Sequence, residues 1–136
     1  MDNIVLDTNV LVMSISPKSS YRKIWDGFMR GEYVLCISNE IIEEYAEMLA
    51  RLVNPSVSDY IIDAILTRDN IRLVEPHFRW RLIVGDHDDD KFVDCAFACG
   101  AKFIVSEDHH FDVLASVPFP KIEVLKINEF LTYISR

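Results

Sequence analysis

The sequence is poor in the devices that cross-link a chain or carry it through a membrane. It has only three cysteines, Cys36, Cys95 and Cys99. An odd number with no paired spacing argues against a disulfide framework. Cys95 and Cys99 stand four apart on an expected helix and share a face, where two small side chains can be buried. A zinc site would need two more ligands, and the sequence contains no Cys-x-x-Cys or His-x-x-x-His. No apolar run approaches the ~18 residues of a membrane helix. The opening Met1-Asp2-Asn3-Ile4, with an acid at the second position, does not read as a secretory signal, so a cytoplasmic location without a membrane partner is expected. Nucleotide-binding glycine patterns, Gly-x-Gly-x-x-Gly and Gly-x-x-x-x-Gly-Lys, are absent. Positive charge is also short. Fourteen Lys and Arg face 22 Asp and Glu, for a net charge of −8. Taken alone, that balance opposes nucleic-acid binding through a basic surface. The objection weakens if several acids are gathered around metal ions, because the remaining surface is then less acidic than the total.

What is present is apolar material in a regular order. Half of the 136 residues are hydrophobic, enough for one core. Ile4-Val5-Leu6, Tyr33 to Ile37, Ile71 to Glu75, Phe103-Ile104-Val105 and Ile122 to Leu125 read as strands, the continuous apolar ones as buried parallel strands. Helical spacing is expected from Val10 to Met13, with Thr8 or Asn9 as cap, and over about 21–30, 39–53, 56–68, 89–99 and 127–134. Asn54-Pro55 ends the third of these. A short helix or turn is expected around 109–114, and residues 77–88 form a polar connection. Strands and helices alternate throughout, with no repeat, low-complexity segment or linker. The pattern predicts one α/β domain over 1–136, a three-layer α/β/α sandwich around a mostly parallel, Rossmann-like sheet.

In such sheets ligands bind at the carboxyl ends of the strands. Asp7 and Asp108 fall just past two strand ends, Glu44 lies in the helix after the second strand, and Asp89 opens the helix before the fourth. Four acids can therefore converge on one edge of the sheet. Close carboxylates repel one another unless protonated or neutralised by a cation, and hard oxygen ligands suit Mg²⁺ or Mn²⁺. The matching chemistry is phosphodiester hydrolysis. Spacing alone leaves choices open. Glu44 sits three residues beyond Ile41, beside the apolar face, with Glu43 as the alternative. Asp86, Asp88, Asp89 and Asp90 crowd one stretch, and any of them would be favoured at a helix N-terminus. Asp94 reads either as an outer ligand or as a surface residue. Lys18, Arg22 and Lys23, with Arg30, form a basic cluster that is either an RNA contact or a solvated face; Arg79 and Arg81 form another.

Four segments, in order, resemble the motifs of the PIN-domain nucleases, and within them the toxins of toxin–antitoxin pairs. These are Ile4 to Leu11, Ile37 to Tyr45, Asp86 to Ala96 and Gly100 to Asp108. The resemblance covers nearly the whole chain. It implies a PIN-like fold, endoribonuclease activity, bound Mg²⁺ or Mn²⁺, frequent homodimers and an antitoxin protein as partner. It places the metal ligands at Asp7, Glu44, Asp89 and Asp108, with Asn9 and Ser106 as supporting polar groups. One departure is Glu107, which stands where the family often has a small, polar or basic residue.

The expected mechanism has Asp7, Asp89 and Asp108 holding a metal ion, with Glu44 as ligand or as the group that orients the attacking water. A haloacid-dehalogenase-type phosphatase also begins with a strand and an Asp, but needs a second Asp two residues later, where this sequence has Asn9. The rival from another class is an RNA-binding or assembly scaffold with weak metal binding and no turnover. A full set of four mutually repelling acids argues against it.

Overall fold

The computed structural model describes residues 1–77, 79–83, 89–119 and 121–135. Along these residues run β1 (Asn3–Leu6), α1 (Thr8–Ser14), α2 (Arg22–Met29), β2 (Val34–Ile37), α3 (Asn39–Leu52), α4 (Pro55–Thr67), β3 (Ile71–Leu73), α5 (Asp90–Cys99), β4 (Phe103–Val105), a 3₁₀ helix (His109–Ser116), β5 (Glu123–Leu125) and α6 (Ile127–Ile134). Every apolar run read as a strand forms one. The five strands make a single sheet in the order β3-β2-β1-β4-β5, and each adjacent pair is parallel.

β1 occupies the centre. Ile4, Val5 and Leu6 align with Phe103, Ile104 and Val105 of β4 on one side, and Asn3 and Ile4 with Val34 and Leu35 of β2 on the other. Apart from the partly buried Val34, these apolar residues are buried, which explains runs without polar alternation. The chain steps outward from β1 to β2 and β3, then crosses back past β1 to β4 and β5. Right-handed crossovers put the connections of the first direction on one face and α5 on the other. α5 packs on β1, β2 and β4, α1 touches both α2 and α3, α3 packs on α4, and α6 packs on α2. The sheet therefore lies between two layers, as the alternating pattern predicted.

Local chemistry sets the helix ends. Ser38 accepts the Ile41 backbone N–H and caps α3. Asn54 caps α4 by accepting the Val57 N–H at 2.8 Å, and Pro55 takes the first helical position, where an absent N–H costs nothing. Pro55 thus ends one helix and opens the next, one residue earlier than expected. Gly100, at φ 63°, closes α5 in the left-handed conformation. One expectation is corrected. α1 begins at Thr8, so Asp7 holds the cap position and Thr8 and Asn9 lie inside the helix; the Asp7 side chain makes no capping hydrogen bond.

Candidate active site

Strand order reverses between β2-β1 and β4-β5, and open parallel sheets bind ligands outside the carboxyl ends at such a switch point. Asp7 follows β1 directly. Its backbone N–H donates to the Val105 carbonyl at 3.0 Å, carrying the β1–β4 ladder one residue past the strand. Its side chain is nearly buried, at 6% exposure. Ser106, fully buried past β4, donates its hydroxyl to Asp7 Oδ2 at 2.8 Å and accepts the Asp108 backbone N–H at 2.9 Å. One serine thus joins the two strand-end acids. Below them, the Tyr45 hydroxyl donates to the Leu6 carbonyl at 2.6 Å, tying α3 to the end of β1.

Glu44 reaches the same edge from α3. The Thr8 hydroxyl donates to its Oε2, and Lys91 Nζ, on α5, lies 2.8 Å from its Oε1. Glu43 is exposed on the same helix. Asp89 holds the cap position of α5 without capping it. Asp108 caps the 3₁₀ helix, its Oδ1 accepting the His110 backbone N–H at 2.9 Å. His110 Nδ1 lies 3.3 Å from Asp89 Oδ2 and 3.2 Å from Asp108 Oδ1. One ligand atom each from Asp89, Asp108 and His110 fall within 4.8 Å of one another, a set that could hold a metal ion.

Burial raises the carboxyl pKa of Asp7 above its usual range. The Ser106 hydroxyl and the Thr8 backbone N–H oppose that rise, while the charges of Asp108 and Glu44 add to it. Asp7 therefore senses two of the other three acids as like charges, which is the repulsion the sequence pattern anticipated.

The remaining candidates lie elsewhere. Asp90 turns to the preceding loop, its Oδ1 accepting the Ile83 N–H at 3.0 Å. Asp94 does the same for the Trp80 N–H at 3.0 Å and lies 3.8 Å from Arg79, which also pairs with Glu40 at 3.0 Å. Asp86 and Asp88 lie outside the described residues. Asn9 and Lys18 are exposed. Arg22 pairs with Asp26 at 3.0 Å and donates to the Ile15 carbonyl, and Lys23 donates to Ser135 Oγ at 2.7 Å. Glu107 accepts the Ile127 N–H at 3.2 Å and so serves the start of α6.

Three groups at this edge escaped the sequence reading: His110, Lys91 and the Thr8 hydroxyl. His110 had a signal, since it lies two residues past Asp108. Thr8 was read as a cap. Lys91 had none, because only the packing of α5 beside α3 brings it to Glu44.

A parallel α/β/α sandwich with acids just past β1 and β4 defines the class of fold. Within that class the chain belongs to the PIN domain family, a family of nucleases: the PIN domain model matches residues 3–110, from β1 through His110. No curated protein matches the sequence. Similar solved structures include PAE2754 from Pyrobaculum aerophilum, at 16% identity and TM-score 0.62 over 99% of this chain and 90% of that one. VapC20 from Mycobacterium tuberculosis, described as a sarcin-ricin loop cleaving toxin, matches at 15% and 0.60 over 88% and 98%. DNA-bound VapBC from Salmonella typhimurium matches at 14% and 0.61 over 93% and 99%. At these identities the likeness is one of fold.

Proposed function

We propose that this chain is an Mg²⁺- or Mn²⁺-dependent endoribonuclease, a single PIN domain that hydrolyses RNA phosphodiester bonds in the cytoplasm as the toxin of a toxin–antitoxin pair. The observation that supports the reading is the pair of acids at the switch point of the sheet, Asp7 and Asp108, joined through Ser106, with Glu44 felt by Asp7 as a like charge and Asp89 meeting Asp108 through His110. The donor set fits a hard divalent cation. It is oxygen-rich, and the buried Asp7 carboxylate sits among like charges that a cation would offset. Asp7, Asp89 and Asp108 would hold the ion.

When bound there, a divalent cation supplies Lewis acidity, lowering the pKa of water and offsetting charge on the phosphate. The chain's own groups do the positioning. Ser106 fixes the Asp7 carboxylate, and the Asp108 N–H fixes Ser106 in turn. Glu44, held between Thr8 and Lys91, serves as a further ligand or orients the attacking water and takes its proton. Water adds to phosphorus, the bond to O3′ breaks, the leaving O3′ takes a proton from solvent, and the products are a 3′-hydroxyl and a 5′-phosphate. No nucleophilic side chain is needed. Exposed Lys18, between α1 and α2, is the freest of the basic candidates to meet RNA, with Arg22 and Lys23 behind it.

The antitoxin part of the reading is supported by the fold shared with VapBC; the homodimer belongs to the proposal through the family resemblance. Among the described residues no helix is long and apolar enough to cross a membrane.

Cleavage of labelled single-stranded RNA with Mn²⁺, Mg²⁺ or EDTA, wild type beside Asp7→Asn, tests the enzyme. Cleavage that needs metal and vanishes in the variant is expected. Equal cleavage by the two proteins would sink the assignment.

A further inference from the structure

We infer that His110 is a direct ligand of the divalent cation, and that its imidazole makes the site prefer Mn²⁺ to Mg²⁺. The inference rests on the reading of the acids as a metal centre and adds a nitrogen donor to it. The carrying observation is the position of His110 Nδ1, 3.3 Å from Asp89 Oδ2 and 3.2 Å from Asp108 Oδ1. Donors bound at about 2.1 Å to one octahedral ion stand about 3 Å apart along each edge of the polyhedron. The two separations are close to the length of coordination edges, and one ligand atom from each of the three residues lies within 4.8 Å of the others.

The backbone holds this arrangement. Asp108 Oδ1 accepts the His110 N–H at 2.9 Å, so the acid and the imidazole are locked in one turn at the start of the 3₁₀ helix. The neighbouring histidine shows the contrast. His109 is 90% exposed on its side chain and pairs its Nδ1 with Asp112, at 3.3 Å. Of two adjacent imidazoles, one faces the surface and one faces the site.

Donor chemistry then gives the selectivity. Mg²⁺ is a hard ion that binds oxygen and keeps its waters, whereas imidazole favours first-row transition ions over it. A carboxylate cage with one nitrogen should discriminate where a cage of carboxylates alone would not. The competing role for His110 is that of a cationic partner of the two acids. In that role it would oppose metal binding, and its removal would strengthen binding of both ions.

Calorimetric titration of the full chain with Mn²⁺ and Mg²⁺ separates these roles, comparing wild type, His110→Gln and His109→Gln. The electron spin echo of bound Mn²⁺ is recorded alongside. The wild-type echo should carry nitrogen modulation from a coordinated imidazole, retained in His109→Gln and lost in His110→Gln. Mn²⁺ affinity should fall on the order of tenfold to a hundredfold in His110→Gln, and Mg²⁺ affinity much less. No nitrogen modulation in wild type, or tighter binding of both ions by His110→Gln, overturns the proposal while leaving the metal centre intact. No binding of either ion by wild type overturns the metal centre and the proposal together. The His110 side chain is 44% exposed, so His110→Gln should fold as wild type does, and a melting curve in EDTA verifies it.

Discussion

Ser106 and Asp7, 99 positions apart in sequence, share a buried hydrogen bond of 2.8 Å at the point where strand order reverses. The bond fixes one oxygen of Asp7, and the other face of Ser106 is fixed by the Asp108 N–H. Groups that orient a metal-holding side chain are worth ~10–100-fold in metal affinity. Ser106→Ala should therefore weaken Mn²⁺ binding by about that factor with an unchanged far-ultraviolet spectrum. Calorimetry showing wild-type affinity would remove Ser106 from the site.

Asp7→Asn should separate stability from function. The wild-type carboxylate is buried among the charges of Asp108 and Glu44, which disfavours its ionised form. An amide of the same shape escapes that cost and keeps an oxygen for Ser106. In EDTA at neutral pH the variant should melt a few degrees above wild type. Adding Mn²⁺ should raise the wild-type Tm and leave the variant's unmoved, since only a state that binds the ion is stabilised by it. A lower Tm in EDTA would mean that the Asp7 charge is not a burden on the fold.

Lys91 and Glu44, 2.8 Å apart, form an ion pair across α5 and α3 at the edge of the same site, with the Lys91 side chain only 14% exposed. The ammonium supplies positive charge that a divalent ion would otherwise supply. Lys91→Met should tighten Mn²⁺ binding by about threefold to tenfold, the scale of one charge in a partly screened setting. It should also lower the Tm in EDTA, because Glu44 is left to repel Asp7. Weaker Mn²⁺ binding by the variant would instead make the ion pair a support that the site requires.

The fold was legible because its inner strands, β1, β2 and β4, are buried on both faces. Ile4-Val5-Leu6 and Phe103-Ile104-Val105 carry no polar alternation, and only the interior of a parallel sheet accepts such runs. Strand order was not legible, because right-handed crossovers fix the face on which each connection lies and not which strands are neighbours; the meeting of Asp7 and Asp108 comes from the pairing of β1 with β4. The finer geometry was hidden for two physical reasons. Caps compete locally, so Thr8 read as a cap, although the chain turns one residue earlier and sends the Thr8 hydroxyl to Glu44. Long side chains choose partners across elements, so Lys91 gave no signal before α5 packed beside α3, and His110 gave only its place two residues past Asp108. Spacing alone left the acidic run from Asp86 to Asp90 undivided, and among the described residues the structure separates two of its members. Asp89 faces His110, and Asp90 faces the loop at Ile83.

Asp94 sets a pH dependence of stability that is independent of the metal. Burial raises its carboxyl pKa, the charges of Asp90 and Glu40 add to the rise, and the Trp80 N–H and Arg79 oppose it. The folded chain thus holds this proton more tightly than the unfolded chain. Its contribution to stability is full below the ordinary value of 3.8 and is lost as pH rises through the raised one. Asp94→Asn keeps an oxygen for the Trp80 N–H and removes the titration. In EDTA, the Tm of the variant relative to wild type should increase from about pH 4 toward pH 8. A difference that does not change over that range would rule out Asp94 as its source.

Tyr45 tests whether the platform beneath the acids is rigid by design of the fold. Its ring is buried and its hydroxyl donates to the Leu6 carbonyl at 2.6 Å, one residue before Asp7. Tyr45→Phe keeps the ring and strands that contact, which costs about 1–3 kcal/mol when a buried partner is left unsatisfied. The Tm should drop by several degrees. Because β1 is held independently by its ladders to β2 and β4, Asp7 should stay in place and Mn²⁺ affinity should change little. A large loss of Mn²⁺ affinity with only a small drop in Tm would reverse that division, and would show that α3 positions Asp7 through Leu6.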